Sequence, residues 1–138
     1  MKNRTQKGSL ENHGMAVRAL CFTQSSKHLI SAAEDLHVFV SDVETLQRKQ
    51  TIVGHSKCIT DVAAHPQNED QFITASLDHT IKLWSIEAPS KPIKSINMGS
   101  PVWSAKFSST GDFIFAITEH GTISLVNCRQ ADDPAGTD

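Results

Sequence analysis

The residues able to hold a metal or move protons are seven histidines and three cysteines: His13, His28, His37, His55, His65, His79 and His120, with Cys21, Cys58 and Cys128. A zinc-type site needs ligands at short spacing, and none of these stands as His-x3-His or Cys-x2-Cys. No Gly-x-Ser-x-Gly elbow and no glycine-rich phosphate loop occurs. The pattern therefore predicts no catalytic residues, no metal and no cofactor. An odd cysteine count, wide spacing and apolar surroundings predict buried free thiols in a reducing compartment rather than a disulfide framework.

Charge and composition narrow the class further. The chain has 138 residues, 38% hydrophobic, and a formal net charge of -2 spread along its length. A protein that neutralises phosphates carries a concentrated basic face, so direct nucleic-acid binding is not expected. The basic cluster Lys2, Arg4 and Lys7 reads as a solvated end. No stretch approaches the roughly 18 apolar residues of a membrane span. The polar start lacks a secretory signal, so the glycosylation acceptor Asn3-Arg4-Thr5 is not expected to be used.

The elements that would position any site are legible from an internal repeat. Gly54-His55 lies 42 residues after Asn12-His13, Asp78 lies 43 after Asp35, and His120 lies 42 after Asp78. Three segments align in this way. Each begins with a short apolar run: residues 17–22, 59–63 and 102–107. A polar turn and a second run follow, at 28–32, 71–75 and 112–116. A tight turn holding an acidic residue leads to a third run, at 37–40, 80–84 and 122–126. A weaker fourth run closes the first two segments, near 50–53 and 92–96. Runs of this length, rich in Val, Ile, Phe and Thr and bounded by turn residues, are strands. Four strands per repeat of about 42 residues is the spacing of propeller blades, and no helical period competes with it.

These strings resemble the WD-repeat β-propellers, most clearly in the middle segment. The resemblance implies a buried hydrogen-bonded set in each blade: a His before the first strand, a Ser or Thr on the second, an Asp in the next turn and a Trp on the third. The matching residues are His55, Thr74, Asp78 and Trp84. The first segment keeps His13, Ser31 and Asp35 but has Ser41 at the Trp position. The third has Ala116, His120 and Val126 at the last three positions, so it should rely on apolar packing that includes Trp103, Phe107, Phe113 and Phe115. The paired Trp-Asp signature appears as Ser41-Asp42, Trp84-Ser85 and Asn127-Cys128, complete in none.

The expected fold is all-β: a WD-repeat β-propeller with three four-stranded antiparallel blades of an incomplete, normally seven-bladed ring, the last blade lacking its fourth strand. Residues 1–10 are an N-terminal segment that could supply the last strand of a preceding blade. Repeats follow at 11–53, 54–98 and 99–128, the third incomplete, then a disordered tail at 129–138. Three blades cannot close a ring of seven, so the expectation is a C-terminal fragment or a truncated gene product. Self-assembly is the weaker expectation, because copies of three sum to six or nine.

The family likeness also implies a function: holding proteins together without catalysis. Partners of such propellers dock near the central channel, before the first strand and after the second. The matching positions are Ala16, Cys58 and Pro101, with Glu34, Leu77 and Glu119. The likeness extends to the last three repeats of the small WD-repeat subunits shared by the superkiller (Ski) and RNA-polymerase-associated factor (PAF) complexes. It covers Leu10 to Cys128 and is carried by residues 10–13 and 76–84. That likeness implies a tetratricopeptide-repeat protein and a helicase as partners, roles in exosome-linked 3′–5′ mRNA decay and transcription elongation, and residence in nucleus and cytoplasm. It implies no direct nucleic acid, no membrane and no small-molecule substrate. The alternative is a stand-alone adaptor that recognises a peptide or histone tail.

Overall fold

The computed structural model describes residues 8–10 and 13–128. The basic cluster, the glycosylation acceptor, most of the N-terminal segment and the tail at 129–138 lie outside the described residues. Among the described residues there is no α-helix, and residues 8–10 form no strand.

The described residues form eleven strands in three antiparallel sheets. Sheet 1 contains β1 (Val17–Phe22), β2 (His28–Ala33), β3 (His37–Asp42) and β4 (Arg48–Val53) in sequence order. Sheet 2 contains β5 (Ile59–Ala64), β6 (Gln71–Ser76), β7 (Thr80–Ser85) and β8 (Lys94–Asn97). Sheet 3 contains β9 (Val102–Phe107), β10 (Phe113–Thr118) and β11 (Ile123–Asn127) and has three strands, so the third blade is not four-stranded among the described residues. The fourth strand of sheet 2 starts later than the run from Pro92 suggests. Proline has no N–H to give a ladder, and the pairing opens instead with the Ile93 N–H donating to the Leu83 carbonyl at 2.7 Å.

Each first strand bulges at its second residue, at Arg18, Thr60 and Trp103. The turn between second and third strands is also repeated. Leu36, His79 and Gly121 occupy one position in it, with φ of 70°, 80° and 75°. Glycine takes this left-handed conformation without strain, whereas Leu36 and His79 need support. That support comes from the preceding aspartates, which hold the next strand's first N–H: His37 to Asp35 Oδ1 and Thr80 to Asp78 Oδ1, both 3.0 Å.

The sheets stack side by side, with β1 against β5 and β5 against β9. Two apolar cores result. Between sheets 1 and 2 lie Ile30, Ala32, Val38, Val40 and Ile52, met by Ile59, Val62, Phe72 and Trp84. Between sheets 2 and 3 lie Ala63, Ile73, Ala75 and Ile81, met by Val102, Ala105, Ile114 and Ala116. Sheet 2 is thus covered on both faces, with Val62 and Phe72 turned to sheet 1 and Ala63 and Ile73 turned to sheet 3.

Sheet 3 departs from the sequence-based expectation. Phe107 packs half-buried against the second core, but Trp103, Phe113 and Phe115 are exposed. Strand alternation explains it: in β10, Ile114 and Ala116 point at sheet 2, so Phe113 and Phe115 point away. Trp103 occupies the bulge. The cysteines are free, but half-buried rather than buried.

Candidate functional site

The middle sheet brings His55, Thr74, Asp78 and Trp84 into one chain of hydrogen bonds. The Trp84 Nε1–H donates to Thr74 Oγ1 at 2.9 Å. The Thr74 hydroxyl can then donate to His55 Nε2, 2.5 Å away, while His55 Nδ1–H donates to Asp78 Oδ2 at 2.8 Å. This direction requires a neutral imidazole with its proton on Nδ1. Burial pushes the His55 pKa down from 6.5 and outweighs the opposing pull of Asp78, so the neutral form is the favoured one.

Asp78 closes the chain. Its carboxylate also accepts the Ser56 N–H at 3.1 Å, the Thr80 N–H at 3.0 Å and the Thr80 hydroxyl at 2.5 Å. Burial alone would raise its pKa. The hydrogen bonds from Thr80, from His55 and from the Ser56 N–H outweigh that and hold it at about 2. Gly54 lets the loop lie against this set, because a Cβ there would sit 2.5 Å from the Trp84 ring. The set thus clamps the loop before β5 to the turn after β6.

Sheet 1 holds the shorter version. His13 Nδ1 meets Asp35 Oδ2 at 3.1 Å and His13 Nε2 meets Ser31 Oγ at 2.9 Å. In place of the missing indole, Phe39 stacks on the His13 ring at 4.2 Å. In sheet 3, Ala116 and Val126 offer no side-chain hydrogen bond, and His120 is exposed.

In sheets 1 and 2 these clamps hold the loops that carry the expected partner-binding residues Ala16, Glu34, Cys58 and Leu77. The six positions join in homologous pairs, one per sheet. Glu34 N–H donates to the Ala16 carbonyl at 3.0 Å, Leu77 to Cys58 at 3.0 Å and Glu119 to Pro101 at 2.9 Å. The structure brings Glu34, Cys58 and Leu77 into one cleft of about 470 Å³. Ala16, Pro101 and Glu119 do not line it.

Arg18, Thr60 and Trp103 complete the cleft, and sequence reasoning missed all three as site residues. They share the bulge position of β1, β5 and β9, which turns them toward the rim. A residue out of alternation was the only signal available. Arg18 forms an ion pair with Glu34, Trp103 is half exposed, and the Thr60 hydroxyl donates to the Val102 carbonyl at 2.7 Å. The cleft therefore offers an indole, a leucine, a cation and an anion on a rigid frame, which suits contact with a polypeptide.

The thiols of this region are not activated. Burial raises the pKa of the Cys58 thiol, outweighing the opposing effect of Arg18, and pushes Cys21 up to about 11. Both stay protonated at neutral pH and are poor nucleophiles. Among the described residues, no group of three or more His, Cys, Asp and Glu could hold a metal ion.

The profile of the family described as "WD domain, G-beta repeat" matches residues 4–42 and 46–85. The matched span ends before sheet 3, where Ala116, His120 and Val126 have replaced the clamp. The chain is similar to the transcriptional corepressor LEUNIG_HOMOLOG of Arabidopsis thaliana, 38% identical over 67% of this chain and 12% of that protein. It is 36% identical to the Set1 complex component swd2 of Schizosaccharomyces pombe, over 80% of this chain and 31% of that protein. It is 33% identical to mouse pre-mRNA-processing factor 19, over 77% of this chain and 21% of that protein. The chain thus spans less than a third of each of these relatives.

Proposed function

The chain belongs to the WD domain, G-beta repeat family, and from that premise we propose that it is a non-catalytic scaffold whose rim cleft grips a partner polypeptide inside a multiprotein complex. The observation that carries this reading is the convergence of Glu34, Cys58 and Leu77 with Arg18, Thr60 and Trp103 in one cleft held by clamped loops. An exposed tryptophan and an arginine are the side chains that dominate binding energy at protein interfaces. Two similar proteins are named for complexes or processing machinery, the Set1 complex component and pre-mRNA-processing factor 19.

We further propose membership of the Ski complex, the PAF complex or both, acting in the nucleus and cytoplasm beside a tetratricopeptide-repeat protein and a helicase. The support is the likeness of residues 10–13 and 76–84 to the shared small WD-repeat subunit. The competing reading is a stand-alone adaptor that grips a peptide or histone tail in the same cleft. Affinity capture with this chain as bait, followed by mass spectrometry, separates them. Recovery of a helicase together with a tetratricopeptide-repeat protein supports complex membership. Recovery of histone tails or single peptides without those proteins overturns it.

A further inference from the structure

The turn between the first and second strands of each sheet is built on one homologous residue. Thr23, His65 and Ser108 each donate a backbone N–H across the turn, to the carbonyls of His28, Gln71 and Phe113, at 3.0, 2.9 and 2.8 Å. In sheets 1 and 3 the side chain at this position is a hydroxyl that accepts an amide. The His28 N–H reaches Thr23 Oγ1 at 3.3 Å, and the Phe113 N–H reaches Ser108 Oγ at 3.1 Å. In sheet 2 an imidazole takes this place. His65 Nδ1 accepts the N–H groups of Gln67 at 3.1 Å and Asn68 at 3.0 Å. Three acceptors hold three turns, and of them the imidazole alone changes charge near neutral pH.

The same ring spans the seam to sheet 3. It lies 4.9 Å from the Phe107 ring, and a Cβ on Gly111 would sit 2.3 Å from its Cε1 and 2.4 Å from its Nε2. Gly111, with a φ of 83°, thus supplies both the left-handed turn and the space for this ring. Gln71, Leu83 and Cys128 join them around a gap of about 280 Å³. Two N–H donors on Nδ1 need its lone pair, so the ring is neutral with its proton on Nε2. A second proton would go to Nδ1 and set one N–H against two others, with both bonds lost. The titratable groups facing the ring are Asp112, which favours the charged form, and the Cys128 thiol at the gap. Lys94 acts on Cys128 rather than on His65. Burial opposes the charge more strongly than Asp112 supports it, which holds the pKa below 6.5.

We propose that His65 is an acid-released latch: protonation frees its turn and swings the ring off Phe107 and Gly111, opening the seam between sheets 2 and 3 at this end. The rim cleft lies at the other end of β6, where Leu77 follows the strand, so failure here is distinct from failure of the scaffold reading. An NMR titration of the whole chain follows the His65 ring with the Gln67, Asn68 and Gly111 amides. All should report one transition, with a midpoint below 6.5. His65→Ser installs the hydroxyl of the sister turns and should leave the Gly111 amide unmoved over that range. Asp112→Asn removes the charge that favours the imidazolium, so ring and amide midpoints should move together to lower pH. Gln67 and Asn68 amides that stay put while the ring titrates would overturn the latch. So would the same Gly111 transition in the His65→Ser chain, or amides that keep the native midpoint in Asp112→Asn while the ring shifts.

Discussion

At the scale of single residues, Asp78 is where protonation meets stability. Its pKa is about 2 in the folded chain against an ordinary 3.8, so the unfolded chain binds more protons between those values. The stability it contributes is fully present above about pH 4 and is lost as pH falls toward 2. For a side chain this well covered, the contribution is on the order of 2 kcal/mol. His55 acts earlier in the same direction. Its pKa lies below 6.5, so the neutral imidazole's contribution is intact above that pH and fades beneath it. Melting temperature against pH should therefore fall on acidification, starting below 6.5 and steepening below 4. Asp78→Asn should melt lower at neutral pH and show a shallower decline below pH 4. An acid limb as steep as that of the native chain would mean that Asp78 is not held by these donors.

At the scale of elements, the sheets are joined by polar contacts as well as by core. Asp61 sits on β5 and accepts from sheet 3: the Ser104 hydroxyl at 2.8 Å, the Ala105 N–H at 3.0 Å and the Lys106 ammonium at 3.1 Å. Asp61→Ala strips three donors of their acceptor and should cost about 3 kcal/mol. Urea unfolding measures it, and an unchanged midpoint would show that apolar packing alone fixes the third sheet. The role of Asp61 was hidden in the sequence, where it is one polar letter inside the strand run 59–63. The strands themselves were legible because β-branched runs recur between turns at one spacing, and the residues of the His55 and His13 sets were implied by the likeness to WD-repeat propellers. The facing of sheet 3 was not. Phe113 and Phe115 look like core residues in a one-dimensional string, and only register shows that they point away from sheet 2.

At the scale of the whole molecule, the packed cores and the rim do separate work. The cores carry aliphatic and aromatic residues that join each sheet to the next. The rim mixes Arg18 and Trp103, at strand bulges, with Glu34 and Leu77, in turns fixed by the aspartate clamps, which suits a chain of different sequence. This division predicts that binding and folding can be damaged independently. Leu77 and Trp103 lie outside both apolar cores, so changing them should spare the fold. The direct measurement is the affinity of a captured partner for the native chain and for the double variant Leu77→Asp with Trp103→Ala, with thermal unfolding followed in parallel. The account predicts at least a tenfold loss of affinity, about 1.4 kcal/mol, with little change in melting temperature. Equal affinity in a folded double variant would contradict the claim that the rim cleft is where this protein holds its partner.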